Sequence, residues 1–287
     1  MRDIPESPRI IEIKKKQRKK FVKFLVLLVI LLGLIIFGLS SLSKERHIVI
    51  NSIKVNGAHV LGVEEITQVT KNELLGKYFY LFSRNNTFIY PKKDIEKALL
   101  INFPRIENLS LSLNGLNELE INIKERRGEF LYCGEIIPSD TNQIGDNCYF
   151  LNDDGLIFDE APYFSGDIYF KYYLSIGEGA DPLGKKILDI NKFRNLAYFF
   201  NRVDSLGLKS AYFFMDIDKI NYLYLEKRGN VINPVIIFKD EDNLDLLLGN
   251  LTLAMKKNEF SEEIITKYNF LEYIDLRFKN KILYKFK

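Results

Sequence analysis

Asp216 and Asp218, in the triplet "DID", are carboxylates at alternate positions, a residue type that coordinates divalent cations or passes protons in hydrolysis and glycosyl transfer. The pair keeps open one reading of the chain as a membrane-anchored extracytoplasmic enzyme, although two acids near a strand end more commonly form a solvated turn. The stretch "GADPLGKK" at Gly179–Lys186 approaches the phosphate-cradling pattern G-x-x-x-x-G-K-[S/T]. Its last position is Lys186, so the hydroxyl that would hold Mg²⁺ is missing, and Pro182 removes one backbone donor. The sequence has only two histidines, His47 and His59, so a Ser–His–Asp arrangement would have to recruit one of them near the first strand. An ordinary loop and a turn are the better accounts, and the expectation is a protein with no catalytic residue, cofactor or metal.

Such residues need elements to position them, and the chain opens with one that lies outside any soluble fold. "FVKFLVLLVILLGLIIFGL", Phe21–Leu39, is nearly continuous hydrocarbon with one lysine, Lys23. Nineteen residues at about 1.5 Å each approach a bilayer core of roughly 30 Å. A secretory signal has a shorter apolar run, about 7–15 residues. The expectation is therefore an uncleaved transmembrane helix over 21–42 after a basic tail at 1–20; the small residues of "GLSSLS" keep cleavage open as the rival.

Residues 1–23 carry nine Lys/Arg against Asp3, Glu6 and Glu12, a net +6, which leaves −3 for the rest of a chain at +3. A nucleic-acid binder needs its positive charge on the folded part, so nucleic acid is not expected as a partner. The basic flank "KKKQRKK" favours a cytoplasmic N-terminus, with the folded bulk outside the cytoplasm. In that space Cys133 and Cys148, the only cysteines, are expected to form a disulfide rather than stay free thiols.

Two modules follow. In 47–126, alternation at Ile53 and Val55 predicts a strand, and Val63, Ile66, Val69 and Leu74 predict a helix. A second helix is predicted after Pro91, with Ile95, Leu99 and Phe103 on its apolar face. "ENLSLSLNGLNELEINIKE" then predicts a hairpin. It turns Leu109, Leu111, Leu113, Leu119, Ile121 and Ile123 to one side, beneath the two helices. In 127–287, a hairpin is predicted around Asp154–Gly155, helices at 188–207 and 243–257, and strands at 211–217, 222–226 and 231–238. "LEYIDLRFKNKILYKFK" predicts a strand, a Lys279–Asn280 turn and a final strand. The expected class is α+β: one N-terminal transmembrane helix, a small βααββ domain, and a larger mixed β-sheet domain with two helices.

Ile53, Val55 and Gly57, Glu65–Ile66, Gly76, Pro104–Ile106 and the closing Glu125–Arg126 resemble a POTRA domain. More narrowly, with "YFLNDDGLIF" and "YIDLRFKNKI" further on, the exported chain resembles the bacterial division proteins called FtsQ or DivIB. The departure is a longer stretch between the helices, "YLFSRNNTFIY" at Tyr80–Tyr90. The resemblance implies a non-enzymatic scaffold of the cell-division complex at the septum, with FtsB- or DivIC-like and FtsL-like membrane proteins as partners. A second copy of the chain is a further partner left open.

The residues expected to meet a partner are those of the last strand, Lys281, Ile282, Leu283, Tyr284, Lys285 and Phe286, with Arg277 on the strand before it. An edge strand offers unpaired N–H and C=O groups that accept a strand from another chain. The plain alternative is a last core strand that binds nothing, with Asp275 and Arg277 paired to each other. POTRA-like modules also serve outer-membrane assembly factors, but those need a barrel of many alternating strands, and two strong helices interrupt the residues after 126.

Overall fold

The computed structural model describes residues 8–138, 148–164, 168–177, 181–229, 232–278 and 281–287, and the backbone alone of 8–14 and 17. The expected Lys279–Asn280 turn and most of the segment between the cysteines lie outside the described residues. The chain is α+β and divides into two units, Met1–Glu125 and Arg126–Lys287.

Helix α1 runs over Pro8–Leu42. Its stretch Arg18–Leu42 is 25 residues long with a mean hydropathy of 3.0 in its most apolar window, 0% of which is buried. It is long and apolar enough to cross a membrane. An all-round apolar surface left uncovered by protein suits lipid as its solvent.

The first unit continues with β1 (Ser52–Asn56), α2 (Val63–Leu74), the two-residue strands β2 (Lys77–Tyr78) and β3 (Phe82–Ser83), α3 (Lys92–Asn102), β4 (Ile106–Asn114) and β5 (Glu118–Glu125). Its sheet has the order β1-β5-β4, with β1 parallel and β4 antiparallel to β5. The register sets Leu109 opposite Ile123, Leu111 opposite Ile121 and Leu113 opposite Leu119, so the apolar residues of the hairpin share one face. Helices α2 and α3 supply Ile66, Leu74, Ile95 and Leu99 to the same core. Two expected core positions sit at its rim instead: Leu113 is 36% and Val63 45% exposed, each at the end of its element's covered stretch.

Glu125 and Gly57 join the two ends of this unit. Glu125 Oε1 accepts the backbone N–H groups of His59, Val60 and Leu61 at 2.9, 3.0 and 3.0 Å, just before α2 begins. Gly57 has φ +81°, and a Cβ there would lie 2.1 Å from the Ile123 carbonyl oxygen. Only glycine fits so close to a neighbouring strand.

The second unit holds β6 (Phe130–Tyr132), β7 (Tyr149–Leu151), β8 (Ile157–Glu160), β9 (Lys171–Tyr173), α4 (Ile190–Ser205), β10 (Ser210–Met215), β11 (Ile220–Leu225), β12 (Val235–Lys239), α5 (Leu244–Met255), α6 (Asn258–Thr266), β13 (Leu271–Phe278) and β14 (Lys281–Phe286). They form one mixed sheet in the order β14-β13-β12-β11-β10-β9-β6-β7-β8. One face carries Phe213, Leu223, Ile236, Phe238 and Ile274 into a core with Phe193, Leu196, Phe200 and Val203 of α4 and Leu247 and Leu251 of α5. Asp189 caps α4, accepting the N–H groups of Asn191 and Lys192. The expected count of two helices is corrected to three among the described residues. Helix α6 is nine residues long and buries only Ile264 fully, too little apolar surface for a periodic pattern to show.

Candidate functional site

Strand β14 is the last strand at one end of the nine-stranded sheet. Its inner side pairs antiparallel with β13, which sets Tyr273 opposite Lys285, Ile274 opposite Tyr284 and Asp275 opposite Leu283. Among the described residues no strand lies on its outer side. The far end of the sheet is different. There Ile157 of β8 donates its N–H to Lys185 and accepts from Gly184, at 2.9 and 2.8 Å, and Leu156 bridges to Lys186. One edge of this sheet is covered by its own chain and the other, among the described residues, is open.

The strand divides its labour by alternation. Ile282 and Phe286 pack on the core beneath the helices. Tyr284, on the same side, meets the Phe260 ring edge-on at 5.2 Å and donates its hydroxyl to Glu263 Oε2 at 2.8 Å. That bond to a carboxylate pushes the phenol above its ordinary pKa. Leu283 and Lys285 face the other way. Leu283 is 44% exposed, and Lys285 Nζ lies 2.6 Å from Glu272. The predicted strand therefore holds both a core half and an open half.

Pairing across the sheet sets two continuous rows on the face that the helices leave uncovered. Tyr173, Phe214, Tyr222, Ile237, Asp275 and Leu283 form one, and Lys171, Tyr212, Tyr224, Val235, Tyr273 and Lys285 the other. Tyr212 and Tyr224 stack at 4.5 Å, 17° from parallel. At the β6–β9 end the first row is covered by a small second core that holds Leu131, Cys133, Cys148 and Tyr173. Toward β14 the rows are only partly buried, save Asp275, so they lead open to the free edge. The sequence carried a signal for this aromatic face: Tyr212 and Phe214, and Tyr222 and Tyr224, alternate with the core residues Phe213 and Leu223.

Arg277 does not extend toward the edge. Its Nε and Nη2 grip Asp275 at 2.6–3.1 Å, and its own backbone N–H donates to Asp275 Oδ1 at 3.0 Å. Burial pushes the Asp275 carboxyl up, but the Arg277 side-chain and backbone hydrogen bonds outweigh it and hold the group below its ordinary value. Asp275 is 4% exposed, so this pair belongs to the sheet's own structure.

The residues singled out for chemistry sit in turns. Asp216 closes the β10–β11 hairpin, accepting Ile220 N–H at 2.8 Å and the Tyr222 hydroxyl at 3.2 Å. From "GADPLGKK" the described residues begin at Asp181, and three of their backbone donors are spent within the chain. Leu183 N–H goes to Asp181, Gly184 N–H to Ile157 and Lys185 N–H to Pro182. His47 lies in a 3₁₀ turn at the end of α1 and His59 follows β1, both exposed. Cys133 and Cys148 form a disulfide. A cavity of about 410 Å³ between α4 and α5 is lined by Lys192, Asn221, Asp240 and Leu244, among others. Lys192 and Asp240 are ion-paired in it at 2.5 Å and so neutralise each other. No group of three or more metal-ligating side chains occurs among the described residues.

Neither a scan of protein-family models nor a search of the curated proteins returns a match to the chain.

Proposed function

We propose that this chain is a single-pass membrane scaffold whose Arg126–Lys287 unit accepts an extended segment of a partner along β14. The observation that carries the reading is the open outer side of β14, in a sheet whose opposite edge is closed by residues 184–186. A strand added there would extend the two rows that end at Leu283 and Lys285, with main-chain bonds for affinity and the row positions for side-chain selection. Lys281, Lys285 and Lys287 lie along the edge, where like charge disfavours pairing with a second copy.

The residue-level resemblance to FtsQ and DivIB supports the narrower form of this reading. In that form the first unit is a POTRA-type module and the protein works, without catalysis of its own, in the cell-division complex at the septum. The segment received is that of an FtsB- or DivIC-like membrane protein, with an FtsL-like protein alongside. The basic flank of α1 supports an N-terminus in the cytoplasm and both units outside it.

A photo-crosslinking side chain placed at Leu283 in the full chain in cells tests this, with Leu253 on α5, 63% exposed, as control. The expected product is an adduct at position 283, absent at 253, with one small single-pass membrane protein. Adducts only with the chain itself, or equal labelling at both positions, overturn the proposal.

A further inference from the structure

Phe79 and Tyr80 are apolar rings held at the tip of the tight β2–β3 ladder, 86% and 94% exposed. Both have positive φ, +49° and +61°, a conformation that non-glycine residues rarely adopt. Leu81 N–H donates to the Tyr78 carbonyl at 3.0 Å, so the two residues are the centre of a tight hairpin turn that needs positive φ at both. Aromatic residues are costly there, and among the described residues neither ring joins the core of the first unit.

The ladder is fastened to the end of α1, and the order of its fastenings gives its direction. Asn86 Nδ2 donates to the Ser43 carbonyl at 3.0 Å, Ser83 N–H donates to Ser43 Oγ at 3.3 Å, and Ser40 Oγ donates to the Leu81 carbonyl at 2.8 Å. Moving from residue 86 to 83 to 81 therefore tracks back along α1 from Ser43 to Ser40. Extended in the same direction, the tip beyond Leu81 would reach toward the next helical turn, about 5.4 Å further along, where Ile36 and Phe37 belong to the lipid-sized apolar stretch. Ser40 and Ser43 are buried by this contact, at 4% and 6% exposure. Their small side chains admit the ladder. Lys44 and Lys77, both exposed, flank the same region.

We propose that the β2–β3 tip is an aromatic wedge that enters the lipid headgroup layer beside α1. Tyrosine at the membrane–water boundary matches its half-polar, half-apolar character, the phenylalanine ring beside it adds apolar area, and the ammonium groups of the exposed lysines alongside can reach headgroup phosphates. With α1 it makes a two-point attachment, which fixes the rotation of the first unit about the helix. The inference rests on α1 crossing the membrane.

The chain contains no tryptophan, so one introduced tryptophan is a clean depth reporter. Full chains carrying Tyr80→Trp, Leu31→Trp or Val60→Trp are reconstituted in phosphatidylcholine–phosphatidylglycerol vesicles whose lipids are brominated either near the headgroup or deep in the chains. Val60 is 65% exposed and lies past the end of β1 remote from α1. The expected result is loss of emission for Tyr80→Trp with shallow bromines, for Leu31→Trp with deep bromines, and for Val60→Trp with neither. Unquenched Tyr80→Trp beside quenched Leu31→Trp overturns the wedge and leaves the spanning helix intact. Unquenched Leu31→Trp overturns both. Quenching at Val60 equal to that at Tyr80 also overturns the wedge, because the whole unit would then lie on lipid.

Discussion

Arg277 Nη2 lies 2.6 Å from Asp275 Oδ2, two residues away on the same face of β13, and closes over a carboxylate that is almost fully buried. Truncating the arginine leaves that charge desolvated and unpaired. Arg277→Ala is expected to cost about 1–3 kcal/mol at neutral pH, the penalty of a buried group that loses its partner. The pH dependence separates this from lost packing. With Arg277 present the Asp275 pKa is depressed, so the stabilisation it brings is present above the unfolded value and fades as pH falls through the folded one. Without Arg277, burial alone raises the carboxyl, and the deficit of the variant narrows as acid protonates it. Hydrogen exchange at β13 in the detergent-solubilised chain reads both effects. A deficit constant from pH 7 to pH 4 would show that packing, not charge, is responsible.

Glu125 gives the first unit an acid-sensitive contact. Burial raises its carboxyl, but the N–H groups of Leu61, His59 and Val60 outweigh that and hold the pKa below its ordinary value. The bonds thus contribute stability that reaches its full value only well above the unfolded reference of about pH 4.3, and is lost as pH falls through the folded value. Glu125→Gln should cost roughly 1 kcal/mol at pH 7 and flatten this acid limb. Urea titrations at pH 7 and pH 3.5, followed by amide exchange in α2, measure the difference. An unchanged acid limb in the variant would remove Glu125 from the account.

How much of this was legible in the sequence depended on whether a segment is covered on one face or two. The β4–β5 hairpin is covered on one face, and its alternation from Leu109 to Ile123 predicted which side chains share that face, though not their pairing across the strands. Helix α4, predicted over 188–207, occupies 190–205, because Phe193, Leu196, Phe200 and Val203 mark a single stripe. Strands β6 and β9 left no such trace. Tyr172 and Tyr173 are consecutive and both buried, one in each core, so no alternation remains to read. The parallel pairings β6–β9 and β9–β10 join segments far apart in sequence and carry no local signature. At the candidate site, the final strand was predicted and its residues fell into an inward and an outward set. What alternation could not supply was the end position of β14 or the covering of β8, since both follow from the order of nine strands.

Reducing the disulfide tests the small core on the far face. Cys133 and Cys148 are 15 residues apart and buried with Leu131 and Tyr173. Closing a loop of that size contributes about 3 kcal/mol in the chain-entropy description. A reductant, or Cys133→Ala with Cys148→Ala, should lower the melting temperature of the second unit and leave exchange rates in the first unit unchanged. Equal melting of oxidised and reduced protein would mean that the aromatic packing around Phe150 holds this region unaided.

Gly57 and Gly115 make a matched pair for separating strain from collision. Both have positive φ, +81° and +70°, so alanine is disfavoured at either. At Gly115, in the β4–β5 turn, a Cβ meets nothing within 4 Å. Gly115→Ala should therefore cost only the conformational term, about 1 kcal/mol. At Gly57 the same methyl group would stand 2.1 Å from the Ile123 oxygen, on the strand that carries Glu125. Relief requires β5 to move away from the chain after β1, which would also draw Glu125 from the N–H groups of His59 to Leu61. Gly57→Ala should cost well over twice as much as Gly115→Ala, roughly 3 kcal/mol or more, and should also weaken the acid limb that Glu125 produces. Paired urea titrations at pH 7 and pH 3.5 read both quantities. Equal losses at the two glycines, with the acid limb intact, would mean that the β1–β5 contact yields without strain.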